Sequence, residues 1–204
     1  MAGLVYKDLL LLRRWLWYYG LMLGLFALFV ALGVLGPSVL PGLAMLFSYM
    51  LPLNTFSWDE AARWGAFAAA SPACLRGIVD SKYALCLLCA GAGGLAAALL
   101  CALCRVLGAE ADAALSACLL CTALTLLMDA VLLPVALRFG ARAASWALLA
   151  VTLPLFGGGL ALWAMSEYGS LVLPALSPGL PWLAAAACAL AFALSWLAAR
   201  RRGA

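Results

Sequence analysis

Apolar residues in this chain come in uninterrupted blocks of about 20, and that block length leaves few folds open. An α-helix rises 1.5 Å per residue, so about 20 residues cross the roughly 30 Å hydrocarbon core of a bilayer. Six such blocks can be drawn, at about residues 16–36, 39–57, 83–104, 114–136, 144–165 and 181–199. With 69% apolar and 10% charged residues, the 204-residue chain lies far outside the soluble range. Short alternating strands are missing, which argues against a β-barrel. The expected fold class is all-α: one polytopic membrane domain over residues 1–204, with six transmembrane helices. A cleavable signal peptide does not suit the start, because the first apolar run is long, follows Lys7, Arg13 and Arg14, and has no early small-x-small site.

The basic residues give an orientation. Six spans place both termini on one side, together with Lys7, Arg13, Arg14, Arg63, Arg76, Lys82, Arg138, Arg142 and Arg200 to Arg202. Only Arg105 falls opposite, so the positive-inside rule makes the basic side cytoplasmic. Aromatic residues mark the span ends: Trp15, Trp17, Tyr18 and Tyr19 on the first, Trp163 and Tyr168 on the fifth, Trp196 on the sixth. The net charge of +4 is thus a topology signal, and with arginines scattered over several loops it gives no reason to expect nucleic acid.

Several segments stand out within this frame. Residues 1–15 form a short amphipathic helix, with Val5, Leu9, Leu12 and Leu16 on one face and Lys7, Asp8, Arg13 and Arg14 supplying charge. It reads either as a charged topology anchor or as an interfacial elbow helix that meets a cytoplasmic partner. Residues 58–82 form the one long charged island, expected to sit in water or against another protein. Ala90, Gly94, Ala98 and Ala102 make a small-residue ladder that would let a neighbouring helix come close. Pro154 with Gly157, Gly158 and Gly159 predicts a kink or unwound turn in the fifth span. Asp129, near Pro134, is the only carboxylate placed inside a span, which leaves two readings open: a structural hydrogen bond to another helix, or substrate passage and gating. The outer connection after the fifth span carries Pro174, Pro178 and Pro181 and suggests an ordered loop or a short inserted helix.

Much chemistry is excluded by composition. The chain has no histidine, which removes histidine-based triads and histidine metal ligands. Its two lysines, Lys7 and Lys82, follow no phosphate-loop pattern, so ATP is not hydrolysed here by that route. Asp59 and Glu60 are helix neighbours about 100° apart and do not make an acid/base pair. Cys101, Cys104, Cys118 and Cys121 form two CxxC pairs near one surface, open to three readings: apolar packing, a redox pair, or a thiolate metal site.

Taken in order, the opening MAGLVYKDLLLLRR, the loop with Asp59, Glu60 and Trp64, then Pro72, Val79 and Ser81-Lys82-Tyr83, and later LPVALRFGARAA at Leu133 to Ala144 resemble the small six-span permeases of the ABC-2 exporter superfamily. The branch that includes the phenol-soluble modulin exporter permeases of Gram-positive bacteria is the nearest in pattern. The resemblance implies a permease without its own ATPase, paired with a cytoplasmic ABC ATPase subunit and a second permease copy in a bacterial cytoplasmic membrane. ATP and Mg would sit on the partner, with no cofactor on this chain. Asp59, Glu60, Arg63, Trp64 and Arg76 would lie at a coupling helix touching the ATPase, and Lys7 to Arg14 would be the elbow helix. Substrates of that branch are amphipathic or hydrophobic peptides. Two other readings stay open beside it: a membrane thiol oxidoreductase built on the paired cysteines, and a non-catalytic assembly or immunity protein.

Overall fold

The computed structural model describes residues 2–36, 39–64, 75–107, 114–167 and 180–202. These residues are helical almost throughout: α1 (Ala2–Ala31), α2 (Val39–Ala61), α3 (Leu75–Val106), α4 (Ala114–Glu167) and α5 (Leu180–Arg202). Five stretches are long and apolar enough to cross a membrane, namely Gly3–Ala31, Val39–Ala61, Gly77–Val106, Ser116–Gly140 and Pro181–Arg201. α2, α3 and α4 pack mutually, α1 lies against α2 and α3, and α5 lies mainly against α4. α1 and α5 bury little of themselves within the chain and present leucine and tryptophan outward, as helices solvated by lipid do.

Three expectations change. The amphipathic segment and the first span form one unbroken helix of 30 residues, about 45 Å long. A single buried stripe explains this continuity: Asp8, Leu12, Leu23, Ala27 and Val30 follow helical spacing and face the bundle together. The charged island is also less of a loop than expected. α2 continues through Trp58, Asp59 and Glu60 to Ala61, and just beyond it Arg63, at a φ of 50°, takes the left-handed conformation that stops a helix. α3 then begins at Leu75, eight residues before the expected span.

The third change concerns the fifth span. Backbone around Pro154, Gly157, Gly158 and Gly159 stays helical, and the one non-helical residue within α4 is Gly140, at φ 85° and ψ 174°. There α4 folds back on itself. Its first arm contributes Cys121, Leu124, Met128 and Leu132, and its second arm Ala147, Leu148 and Val151, to one core cluster built on Met45 to Leu53 of α2. That α2 segment is about 12 Å long. A straight α4 would spread the same residues over about 45 Å, so the arms must run antiparallel. Proline at 154 survives because the helix needs only one missing hydrogen bond relieved, whereas glycine at 140 supplies a backbone conformation other residues resist.

Close approach at the bundle centre depends on two adjacent glycines. A Cβ on Gly93 would strike Ser48 of α2, and one on Gly94 would strike Thr122 of α4. The ladder thus works at Ala90 and Gly94, while Ala102 is exposed and Gly93, outside the ladder, holds the second contact.

Candidate functional site: the charged end of the bundle

Four charges meet where α1, α2 and α3 come together. Lys82 Nζ lies 2.9 Å from Asp8 Oδ2 and 2.6 Å from Asp59 Oδ2, and also donates to Thr55 Oγ1 at 3.3 Å. Lys7 Nζ lies 2.7 Å from Asp59 Oδ1 and 3.3 Å from Asp8 Oδ1, the longer contact being an ion pair without hydrogen-bond geometry. Asp8 and Lys82 are almost fully buried, and the cluster sums to zero charge. The sequence places them there. Asp8 heads the buried stripe of α1, Lys82 precedes the buried Tyr83, Leu85 and Cys86 of α3, and Thr55 is turned inward, its hydroxyl bonded to the carbonyl of Pro52. Two cations and two carboxylates in alternation keep each buried charge paired, the condition for leaving water.

Aromatic groups close the cluster. Lys7 Nζ sits 4.1 Å from the centre of the Trp64 ring, and Lys82 Nζ sits 5.1 Å from that of Phe56. Trp58 approaches Trp15 at 6.3 Å between ring centres. Beside it a second tie joins α3 to α5: Trp196 Nε1 donates to Asp80 Oδ1 at 2.7 Å, with Arg200 Nε 3.6 Å from Asp80 Oδ2. One turn further in, the hydroxyls of Tyr83 and Ser195 meet at 2.9 Å, and Ser195 donates to the carbonyl of Ala130 on α4. Glu60 faces the turn at Gly140, and together with Ser57, Arg142 and Trp146 it lines a cleft of about 440 Å³. Lys7, Asp8, Asp59, Glu60, Asp80, Lys82, Arg142 and Arg200 thus lie toward one end of the bundle, while Arg105 ends α3 at the other.

The expected site residues lie in different surroundings. Asp59 and Trp64, expected at a partner surface, are engaged within the chain by Lys7 and Lys82. Asp8 is a buried ion-pair residue, not a charge on an interfacial face. Glu60 and Arg63 are exposed, as a docking role requires, and Arg13 and Arg14 are exposed on α1. The side chain of Arg76 lies outside the described residues, as do Pro72 and the proline-rich connection at 168–179. Lys82 and Asp80 were missed as site residues. Helical phase could have found them, since Lys82 sits among apolar positions that recur at spacings of three and four.

Asp129 is a different case. It is 3% exposed, faces the Cys86 and Cys89 region of α3, and its Oδ2 has no hydrogen-bond partner among the described residues. Pro134 follows one turn later, half-buried. Beside the outer stretch of α1, a cavity of about 420 Å³ opens between α1, α2 and α3, walled by Leu12, Tyr19, Phe47, Leu51, Leu85 and Leu88.

At the opposite end, Cys101, Cys104 and Cys118 join Ala27, Leu40 and Ala97 in one apolar cluster, while Cys121 packs in another. None of the four forms a disulfide, and no group of three or more metal-ligating side chains occurs among the described residues.

An all-helical bundle with five bilayer-length helices and a four-charge cluster at one end defines a multi-pass membrane protein. Residues 3–201 match the family model described as ABC-2 family transporter protein, and the chain belongs to that family. It is accordingly the membrane component of an ABC transporter, a class that works with an ABC ATPase subunit. The comparisons with curated proteins and with solved structures find no match.

Proposed function

We propose that this chain is the permease subunit of an ATP-driven exporter, moving amphipathic or hydrophobic peptides, with both termini and the charged end of the bundle in the cytoplasm. The observation that carries this reading is the neutral four-charge cluster, which fastens α1, α2 and α3 together beside the connection between α2 and α3. A partner ATPase that pushes on that connection would move three helices as one body instead of bending a single helix. Glu60 and Arg63, exposed at the end of α2, are the contact residues in this reading, with Asp59 and Trp64 bracing them from behind. ATP and Mg belong to the partner subunit. A second permease copy completes the membrane pathway, and α1 and α5 leave ample uncovered helix surface for it. The six-span arrangement is supported by the return of the second arm of α4 along α2. The apolar walls of the cavity between α1, α2 and α3 suit leucine-rich or acyl substrates better than charged ones.

The test is co-purification of the full chain with the ABC ATPase encoded beside it, followed by peptide-stimulated ATP hydrolysis in proteoliposomes. Charge reversal at both exposed positions, E60K with R63E, should lower recovery of the complex by tenfold or more while the permease itself stays folded. Undiminished recovery and stimulation would move the coupling surface elsewhere.

A further inference from the structure

The outward face of α1 carries a second, unrelated feature. Tyr6, Leu10, Arg13, Arg14, Trp17 and Tyr18 line a shallow groove of about 860 Å³ on the side away from the bundle. Tyr6, Trp17 and Tyr18 are at least half exposed, so this is open surface in the chain. Its depth follows from the packing. Lys7 marks the ion cluster, and Arg13 lies six residues on, about 9 Å further along the helix. Leu12, next to it, packs on Leu51 and Leu85, both inside apolar spans. Arg13 and Arg14 therefore lie just beyond the ion cluster, at the level where apolar helix packing begins, and their side chains can reach lipid headgroups.

Lys7 and Lys82 are used by Asp8 and Asp59, and Arg200 is used by Asp80. Arg13 and Arg14 have no ion-pair partner among the described residues. Arg63, Arg138, Arg142 and Arg201 also have no ion-pair partner among the described residues, and what sets Arg13 and Arg14 apart is their place in an apolar groove. Two unpaired guanidiniums at this depth need an anion, and the anion available there is a lipid phosphate, which a guanidinium grips with two parallel hydrogen bonds. Tyr6, two turns before Arg13, and Trp17, one turn after, have the amphipathic rings that settle at the headgroup level. A second copy of the chain fits this face less well. A two-fold contact would set Arg13 and Arg14 against their own copies, like charge against like charge.

We infer that the outer face of α1 is a binding site for an anionic phospholipid, with Arg13 and Arg14 holding the headgroup and the apolar groove beside them holding an acyl chain. The inference rests on the membrane-spanning character of the chain and is independent of its substrate. Native mass spectrometry of the detergent-purified full chain tests it, with phosphatidylglycerol and phosphatidylcholine of matched acyl chains as probes. Retention of phosphatidylglycerol should exceed that of phosphatidylcholine by about thirtyfold, the scale of two basic residues at an anionic surface. R13Q/R14Q should bring the two lipids to parity, R13K/R14K should keep part of the preference, and R201Q at the end of α5 should keep all of it. Equal retention by the unaltered chain, or a preference that survives R13Q/R14Q, would overturn the site. So would efficient disulfide crosslinking between copies carrying W17C in a bilayer, which would assign the face to a second copy.

Discussion

The cluster of Lys7, Asp8, Asp59 and Lys82 and the lone carboxyl of Asp129 are both buried, and they are buried on opposite conditions. In the cluster every charge faces two of the opposite sign, from three different helices, and a threonine hydroxyl fills in beside Lys82. Among the described residues Asp129 has no ion-pair partner, and one of its oxygens has no hydrogen-bond partner. Asp8 Oδ1 likewise accepts no hydrogen bond, but it lies 3.3 Å from the Lys7 ammonium, so its charge is balanced where that of Asp129 is not. A carboxyl buried without such a neighbour is a functional candidate by physical cost alone.

That contrast can be broken by substitution. Lys82→Met leaves Asp8 and Asp59 buried with only Lys7 between them, and it should destabilise the detergent-solubilised chain by about 3–5 kcal/mol in a thermal or denaturant melt. A loss below 1 kcal/mol would show that water reaches the cluster freely. Adding Asp8→Asn to Lys82→Met should recover about 1–2 kcal/mol of that loss, because the double variant removes the unbalanced charge that the single one creates. Strict additivity would mean that the two side chains do not interact. Asp129→Asn should have the smallest effect on stability, within about 1 kcal/mol, since no ion pair is lost. The same variant should lower substrate-stimulated ATP hydrolysis of the assembled transporter. If stability falls by more than 2 kcal/mol with transport intact, Asp129 belongs with the structural group after all.

Block length and basic-residue bias were enough to give the helical membrane fold and to place Lys7 and Lys82 at the same end, because both depend on composition along the chain. Pairing between distant residues was not visible. Asp8 and Lys82 are 74 positions apart, and nothing local tells that a stripe on α1 and a phase on α3 will bring them together. The island at 58–82 looked like a surface handle because its charges were counted without their partners; Asp59 and Lys82 turn inward once Lys7 and Asp8 are supplied from α1. Pro154 drew notice as a helix breaker, yet Gly140 makes the turn. Proline's effect is strong in water, whereas a left-handed φ is decided by tertiary contact, here the fold-back of α4 against α2.

With Gly140 as the sole non-helical residue between them, the two arms of α4 are joined with no slack. A loop would absorb the tilt of one helix before its neighbour felt it; a one-residue elbow hands the tilt on. In the proposed coupling, a stroke that reached the first arm at the charged end would swing the second arm with it, and the pair would behave as a single stiff fork whose prongs point away from that end.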